Sequence, residues 1–158
     1  TEDSGAYHNN LGRAATASNV NPLFNFARYM ANLRKKHSAL KQRTYGDFAM
    51  NSGNDVTYLF RKEDGYTYLN DNDRCIWLRI DGSAVGDQDL LVFINMWTEK
   101  VAFTVPADSD SQKWVRLVDT DNWAEECCNV WDLKTGAEIK NSYTVNPWSI
   151  VILEELKR

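Results

Sequence analysis

An apolar run at residues 90–94, LLVFI, is the feature that most constrains how this chain folds. Such a run is too short for a buried helix and is typical of a strand that is covered on both faces, so residues 90–96 are predicted as a central strand. After a four-residue connection, large and small side chains alternate at residues 101–105, VAFTV, as on a strand with one buried face. We expect these two strands to pair as a hairpin that ends at Pro106, which has no N–H to donate.

Short apolar runs separated by turn residues continue through the rest of the chain. Asp64-Gly65 is a strong hairpin signal, so residues 66–69 are predicted to run back along the strand that precedes the turn. The 158 residues are enough to bury about 70% of the unfolded surface in one domain. Residues 41–158 are therefore predicted to form a mostly β, antiparallel β-sandwich. Its further candidate strands are residues 56–60, 76–80, 114–118, 129–133, 143–145 and 148–153.

One amphipathic helix is predicted before this β region. Asn21 is a good N-cap, and Pro22 suits the first helical position because the N–H that it lacks would be unpaired there. Residues 34–37, RKKH, place positive charge at the negative end of the helix dipole. Residues 21–40 are therefore assigned to the helix and its end, and residues 1–20 to an irregular segment. The predicted buried stripe is Leu23, Phe26, Ala27, Met30 and Leu33.

Charge and cysteine content exclude several classes of function. The net charge of −4, without an extended basic stretch, argues against nucleic-acid binding, and no apolar run is long enough to span a membrane. Cys75, Cys127 and Cys128 are odd in number and lack zinc-site spacing, so we expect free thiols in a reducing cytoplasm. The D-x-D segments between predicted strands do not continue as calcium loops and are interpreted as solvated turns. No metal or other cofactor is expected.

Catalytic groups are not evident in the sequence. The carboxylates form no recognisable acid and base pair, and no G-x-S-x-G motif exposes a serine nucleophile. His8 lies in a polar segment, and His37 is interpreted as a cation at the end of the helix.

The six tryptophans divide by their predicted positions. Trp114 and Trp148 fall on strands and are expected to pack in the core, whereas Trp77 falls on the outer face of its strand. Those in or beside loops are candidates for stacking against a saccharide, and packing against a neighbouring domain is the alternative. These candidates are Trp97, Trp123 and Trp131.

Three segments resemble one known family. Residues 33–40, LRKKHSAL, resemble the "LRK-x-HPAL" end of the last barrel helix in the alpha-amylase superfamily of glycoside hydrolases. Residues 90–120 resemble the pattern "llvllN-x-x-W…F-x-lP…W…vvDT" in the C-terminal domain of glycogen debranching enzymes and isoamylases, and residues 143–153 match its "Y-x-V-x-P-x-S-x-x-vL" ending. Ser38 replaces the usual proline and Trp148 a frequent arginine, so pullulanases and neopullulanases stay open as neighbouring subfamilies.

The resemblance implies that this chain is one non-catalytic part of a larger enzyme. In that family the catalytic carboxylates lie on a (β/α)8 barrel upstream of the region matched here, so no residue of this chain is expected to be catalytic. The parent enzyme would cleave alpha-1,6 branch linkages of glycogen. The implied role is a non-catalytic accessory domain that packs on the catalytic barrel and stabilises it. The alternative is a glucan-binding module that uses Trp97, Trp123 or Trp131.

Overall fold

The computed structural model describes residues 22–42, 56–107 and 112–157. This part of the chain contains one α-helix, α1 (Pro22–Lys36), and eight strands. The irregular segment predicted for residues 1–20 lies outside it. The strands are β1 (Thr57–Arg61), β2 (Cys75–Asp81), β3 (Leu90–Asn95), β4 (Val101–Thr104), β5 (Gln112–Asp119), β6 (Glu138–Ile139), β7 (Ser142–Val145) and β8 (Ser149–Lys157).

The strands form two antiparallel layers. A six-stranded sheet has the order β1-β2-β3-β8-β5-β6, and a two-stranded sheet pairs β4 with β7. Phe93 of β3 and Phe103 of β4 stack across the layers, with their ring centroids 5.0 Å apart. The mostly β fold with antiparallel sheets and one helix is therefore confirmed within the described residues.

The predicted hairpin between residues 90–96 and 101–105 is wrong. β3 is central as predicted, but β2 and β8 occupy its two edges, and β4 crosses to the other layer and pairs with β7. β8 competes for the edge of β3 because apolar side chains on both of its faces, Val151 and Ile152 among them, are buried in register with those of β3. A long-range pairing that buries two faces outweighs a short connection.

Strand alternation gives the large sheet two different apolar faces. On the helix-side face, Leu90 packs in a cluster with Leu33 of α1 and Leu117 of β5. On the opposite face, Leu91 and Phe93 pack under the small sheet. The helix therefore covers one side of the β3 strand and the small sheet covers the other.

The helix lies within the predicted residues 21–40, because its signals are local. It begins at Pro22 and ends at Lys36 with three basic residues in its last turn. Phe26, Met30 and Leu33 of the predicted stripe face the sheet, but Leu23, which is 44% exposed, and Ala27, also exposed, do not belong to it. Tyr29, which the sequence pattern did not include, also packs there and donates from its hydroxyl to the Trp131 carbonyl at 2.6 Å.

Two of the predicted tryptophan positions are wrong. Trp77 is buried, because the face predicted to be outer is the one that packs toward the small sheet, and its Nε1 donates to the Thr104 carbonyl at 2.8 Å. Trp148 is 69% exposed and adopts a positive φ of 57° in the turn before β8, so it is not a core residue. Trp114 is buried as predicted.

Residues 66–69 do not form the predicted return strand. Gly65 takes the left-handed φ of 72° that the turn requires, and the chain then closes a tight loop in which the Lys62 N–H donates to the Thr67 carbonyl at 2.8 Å. Beyond this loop β2, and not residues 66–69, supplies the antiparallel partner of β1. The weaker strand predicted at residues 129–133 is reduced to a single bridge between Val118 and Val130.

Candidate domain interface and carbohydrate contacts

Apolar side chains continue along the helix-side face of the large sheet beyond the part that the helix covers. Ile76, Ile94 and Ile150 lie directly opposite one another on β2, β3 and β8. Each lies an even number of residues along its strand from Ile80, Leu90 or Ile152, so it points to the same face. Those three residues pack in the helix-side cluster.

Some apolar side chains in this region are open to solvent. Ile150 is 39% exposed, and the flanking Met96 and Trp148 are 45% and 69% exposed. Scattered exposed apolar residues are ordinary, whereas an exposed continuation of a buried face is typical of a protein contact surface. We call these five residues the apolar strip: Ile76, Ile94, Met96, Trp148 and Ile150.

A buried charged cluster fastens the end of the helix to the sheet. His37, one residue beyond α1, is fully buried, with Nδ1 3.0 Å from Asp87 Oδ1 and Nε2 3.3 Å from Glu154 Oε2. The Lys36 ammonium donates to both Glu154 oxygens, at 2.7 and 2.9 Å. The Ala39 N–H donates to the second Asp87 oxygen at 2.9 Å. Four side chains from three parts of the chain therefore hold the helix in place.

The two central groups of this cluster have shifted pKa values. Burial lowers the pKa of His37, but the hydrogen bond and charge of Glu154, together with the charge of Asp87, outweigh that effect, so the pKa is raised from 6.5. Burial raises the pKa of Glu154, but its contacts with His37 and Lys36 outweigh burial, so the pKa is lowered from 4.5. Each group therefore favours the charged form of the other.

Trp97 lies in the loop between β3 and β4, where hydrogen bonds of the buried Asn95 side chain fix the backbone. Its N–H donates to Asn95 Oδ1 at 2.9 Å, and the Asn95 amide lies 2.9 Å from the Glu99 carbonyl and 3.1 Å from that of Val145. The Arg74 guanidinium lies 4.4 Å from the Trp97 ring centroid, and 37% of Trp97 is exposed. Arginine therefore covers one region of the ring, and the remainder faces solvent.

Trp123 and Trp131 come together in the connection between β5 and β6. Their ring centroids are 5.6 Å apart, and the Arg116 guanidinium lies 4.8 Å from the first and 4.0 Å from the second. Trp123 is 50% exposed, whereas Trp131 is half-buried. Trp97 lines a different cleft with Glu63 and Asp73. The structure therefore brings together two of the three sequence-predicted candidates.

A short network positions the arginine under this tryptophan pair. Arg116 Nη1 donates to the Tyr143 hydroxyl at 3.1 Å, and that hydroxyl donates to Asp119 Oδ2 at 2.6 Å. Burial, followed by the hydrogen bond to Asp119, raises the pKa of Tyr143 to about 12. The hydroxyl therefore stays protonated at neutral pH and keeps both bonds.

Two exposed tyrosines were missed by the sequence reasoning, which placed them on a strand. Tyr66 and Tyr68 are 84% and 74% exposed and line a cavity of about 660 Å³. The available signal was their position just after Asp64-Gly65, where a tight loop competes with a return strand.

Other kinds of site have no support in the described part of the chain. Residues 22–42, 56–107 and 112–157 contain no group of three or more His, Cys, Asp or Glu side chains placed to hold a metal ion. Cys75, Cys127 and Cys128 are free thiols, and burial raises the pKa of Cys75. The one α-helix described is too short and too polar to cross a membrane.

Sequence comparison identifies the class of domain that these features belong to. The model of the family described as "Isoamylase, C-terminal" matches residues 61–154, and the chain belongs to that family. It is 29% identical over 104 residues to the isoamylase of Pseudomonas amyloderamosa and equally to that of Pseudomonas sp. strain SMP1. The match covers 63% of this chain but 13% of each relative. The resemblance to isoamylase C-terminal domains is confirmed.

Among solved structures, the chain is similar to an alpha-amylase from H. orenii. The sequence identity is 16% and the TM-score is 0.43, over 85% of this chain and 20% of the amylase.

Proposed function

We propose that this chain is a non-catalytic accessory domain of a glycoside hydrolase that cleaves alpha-1,6 branch linkages of glycogen, and that it packs on the catalytic barrel and stabilises it. In this proposal residues 21–40 supply the last helix of the barrel, residues 41–158 supply the sandwich, and the catalytic carboxylates lie on the barrel upstream. Membership of the isoamylase C-terminal family supports the proposal. The match covers only 13% of each relative, and this supports the expectation that a larger enzyme contains the chain.

The apolar strip is the observation that carries this proposal. The helix packs on the helix-side face around Leu90 and leaves Ile150, Met96 and Trp148 partly exposed. If α1 belongs to the barrel, the rest of the barrel surface lies on this side of the sheet and faces the strip. Burying a large apolar side chain stabilises a contact by about 1.5–3 kcal/mol, so closure over these residues would bind the two domains firmly.

A charge placed in the apolar strip tests this contact in the full parent enzyme. Ile150→Asp should lower the temperature at which the parent loses activity, because a carboxylate would be buried without a partner at the contact. The unfolding midpoint of the isolated 158-residue chain should fall less, since Ile150 is already 39% exposed there. Thr144→Asp is the matched control, because it places the same charge on an exposed position of the small sheet. Equal inactivation temperatures for both variants and the wild type would contradict the proposal.

Contact with glucan through loop tryptophans is a second proposal. It is supported by the exposure of Trp97 and Trp123, 37% and 50%, together with the arginine that holds each ring in place. Trp131 is half-buried and would act mainly by supporting Trp123. Maltoheptaose should quench the tryptophan fluorescence of the chain, and Trp97→Ala or Trp123→Ala should reduce the quenching. Unchanged quenching in both variants would remove this proposal.

A cytoplasmic location belongs to the same proposed picture. It is supported by the free thiols Cys75, Cys127 and Cys128, which are typical of a reducing compartment.

A further inference from the structure

We propose that the cavity beside Tyr66 and Tyr68 binds a segment of linear alpha-glucan. This tyrosine cleft lies at the β1–β2 edge of the large sheet, on the face opposite the helix. The inference rests on the proposed function in one respect, since a parent enzyme that acts on glucan brings this ligand to the domain.

The floor of the tyrosine cleft is the part of the large sheet that borders the small sheet at the β1–β2 edge. Leu59 lies opposite Arg79, and Arg61 lies opposite Trp77, so these four side chains share one face. The small sheet packs farther along the same face, against Leu91 and the central strands. The walls are completed by Tyr66, Tyr68, Thr104 and Pro106 around a volume of about 660 Å³.

The tyrosine rings project from a loop that is held rigidly. The Asp64 carboxylate accepts hydrogen bonds from the Tyr66 and Thr67 N–H groups, each at 2.7 Å, and from the Thr67 hydroxyl. The Gly65 N–H donates back to the Lys62 carbonyl at 2.9 Å. Presenting two largely exposed aromatic rings on a fixed loop does nothing for the core, but it lowers the entropy cost of binding a flexible ligand.

The chemistry of the tyrosine cleft suits an uncharged sugar chain. A pyranose ring offers C–H faces that stack on aromatic rings and hydroxyl groups that accept hydrogen bonds, and a tyrosine combines an apolar face with a polar tip. The Arg61 guanidinium lies 4.3 Å from the Tyr68 ring centroid, and Arg79 Nε donates to Asp89 at 2.7 Å. Arg61 Nη1 also donates to the Phe60 carbonyl at 2.7 Å, and Arg79 Nη2 also pairs with Asp89. These contacts fix both guanidinium groups and leave only part of their N–H groups as donors to hydroxyls.

The position of the tyrosine cleft favours sugar over the catalytic barrel as its occupant. The proposed barrel contact uses the helix-side face, where α1 and the apolar strip lie. The cleft belongs to the opposite face with Trp77, which packs in the other cluster. A barrel seated on the strip therefore leaves the cleft open to substrate.

Titration of the 158-residue chain with maltoheptaose tests the inference. By calorimetry, Tyr66→Ala/Tyr68→Ala should weaken binding by about tenfold or more, because two stacking contacts are lost. Tyr66→Phe keeps the ring and should stay within about twofold of the wild type. Trp148→Ala removes an exposed aromatic ring that is not part of the cleft and should leave the affinity unchanged.

Chemical-shift mapping locates the ligand independently of these variants. Maltoheptaose should shift the amide signals of residues 62–68 and the indole N–H signal of Trp77, a residue of the cleft floor. Shifts confined to Trp97 or Trp123, wild-type affinity of the double alanine variant, or no binding at millimolar sugar would each overturn the inference. None of these results alters the inactivation test of Ile150→Asp, so the two proposals fail separately.

Discussion

Replacing Glu154 by glutamine removes the negative charge that Lys36 and His37 share at the end of the helix. The Lys36 side chain is 50% exposed, so its pair with Glu154, although only 2.7 Å long, contributes about 1 kcal/mol. His37 is fully buried at 3.3 Å from Glu154, and a buried contact of this kind to a charged group contributes about 2 kcal/mol. Near pH 6 we therefore expect Glu154→Gln to lower the free energy of unfolding by about 3 kcal/mol.

The size of this loss should depend on pH. The folded-state pKa of His37 is raised above 6.5, so its contribution is fully present below pH 6.5 and is lost as the pH rises through the raised value. The pKa of Glu154 is lowered from 4.5, so its contribution is present above pH 4.5 and is lost as the pH falls through the lowered value. Both contributions are therefore fully present between pH 4.5 and pH 6.5, where the cluster stabilises the fold most. Once the pH exceeds the raised pKa of His37, the cost of Glu154→Gln should shrink to about 1 kcal/mol.

Urea unfolding followed by circular dichroism at pH 6 and pH 9 measures both quantities. Glu99→Gln serves as the control, because Glu99 is exposed and its replacement should change the free energy of unfolding by less than about 0.5 kcal/mol at either pH. The reasoning is refuted if Glu154→Gln costs the same at pH 6 and pH 9, since His37 would then not be coupled to this carboxylate.

Three further substitutions should act through contacts described above. Asn95→Ala should lower the free energy of unfolding by about 2–4 kcal/mol, measured in urea, because buried carbonyls and the Trp97 N–H lose their partner. Gly65→Ala should cost about 1–2 kcal/mol in the same assay, since φ is 72° and the new Cβ would lie 3.2 Å from the Trp77 ring. Tyr143→Phe should cost about 1–2 kcal/mol and remove one group with a pKa of about 12 from the tyrosinate absorbance titration.

Local signals predicted the helix and the central position of β3. Pro22 and the basic residues at the C-terminal end bracket α1, and the apolar run of β3 requires cover on both faces. The partners of β3 were not predicted correctly, because strands that are distant in sequence compete to pair with its edges. The short connection to β4 favoured a hairpin, and only the burial of both faces of β8 decides against it.

The candidate contacts divide in the same way. Loop tryptophans are visible in sequence, and Trp97 and Trp123 are exposed. The charged cluster was not predicted, because His37 meets Asp87 and Glu154 only after the sheet has formed. Tyr66 was missed for a different reason: alternation at residues 66–69 imitates a strand, and the hydrogen bonds to Asp64 that make it a loop cannot be read from alternation.

Because alternate residues of a strand point to opposite faces of the sheet, one small sandwich can present two separate binding surfaces. On β2, Ile76 and Ile80 face the helix side, whereas Trp77 and Arg79 face the small sheet and the tyrosine cleft. A shift of one residue in the pairing of β2 would exchange these sets and place arginine in the proposed barrel contact. The paired positions on β1 and β3 fix the register, so the apolar strip and the cleft stay on opposite faces. Substitutions in one surface should therefore leave the other intact, and this independence makes the two proposals separable by experiment.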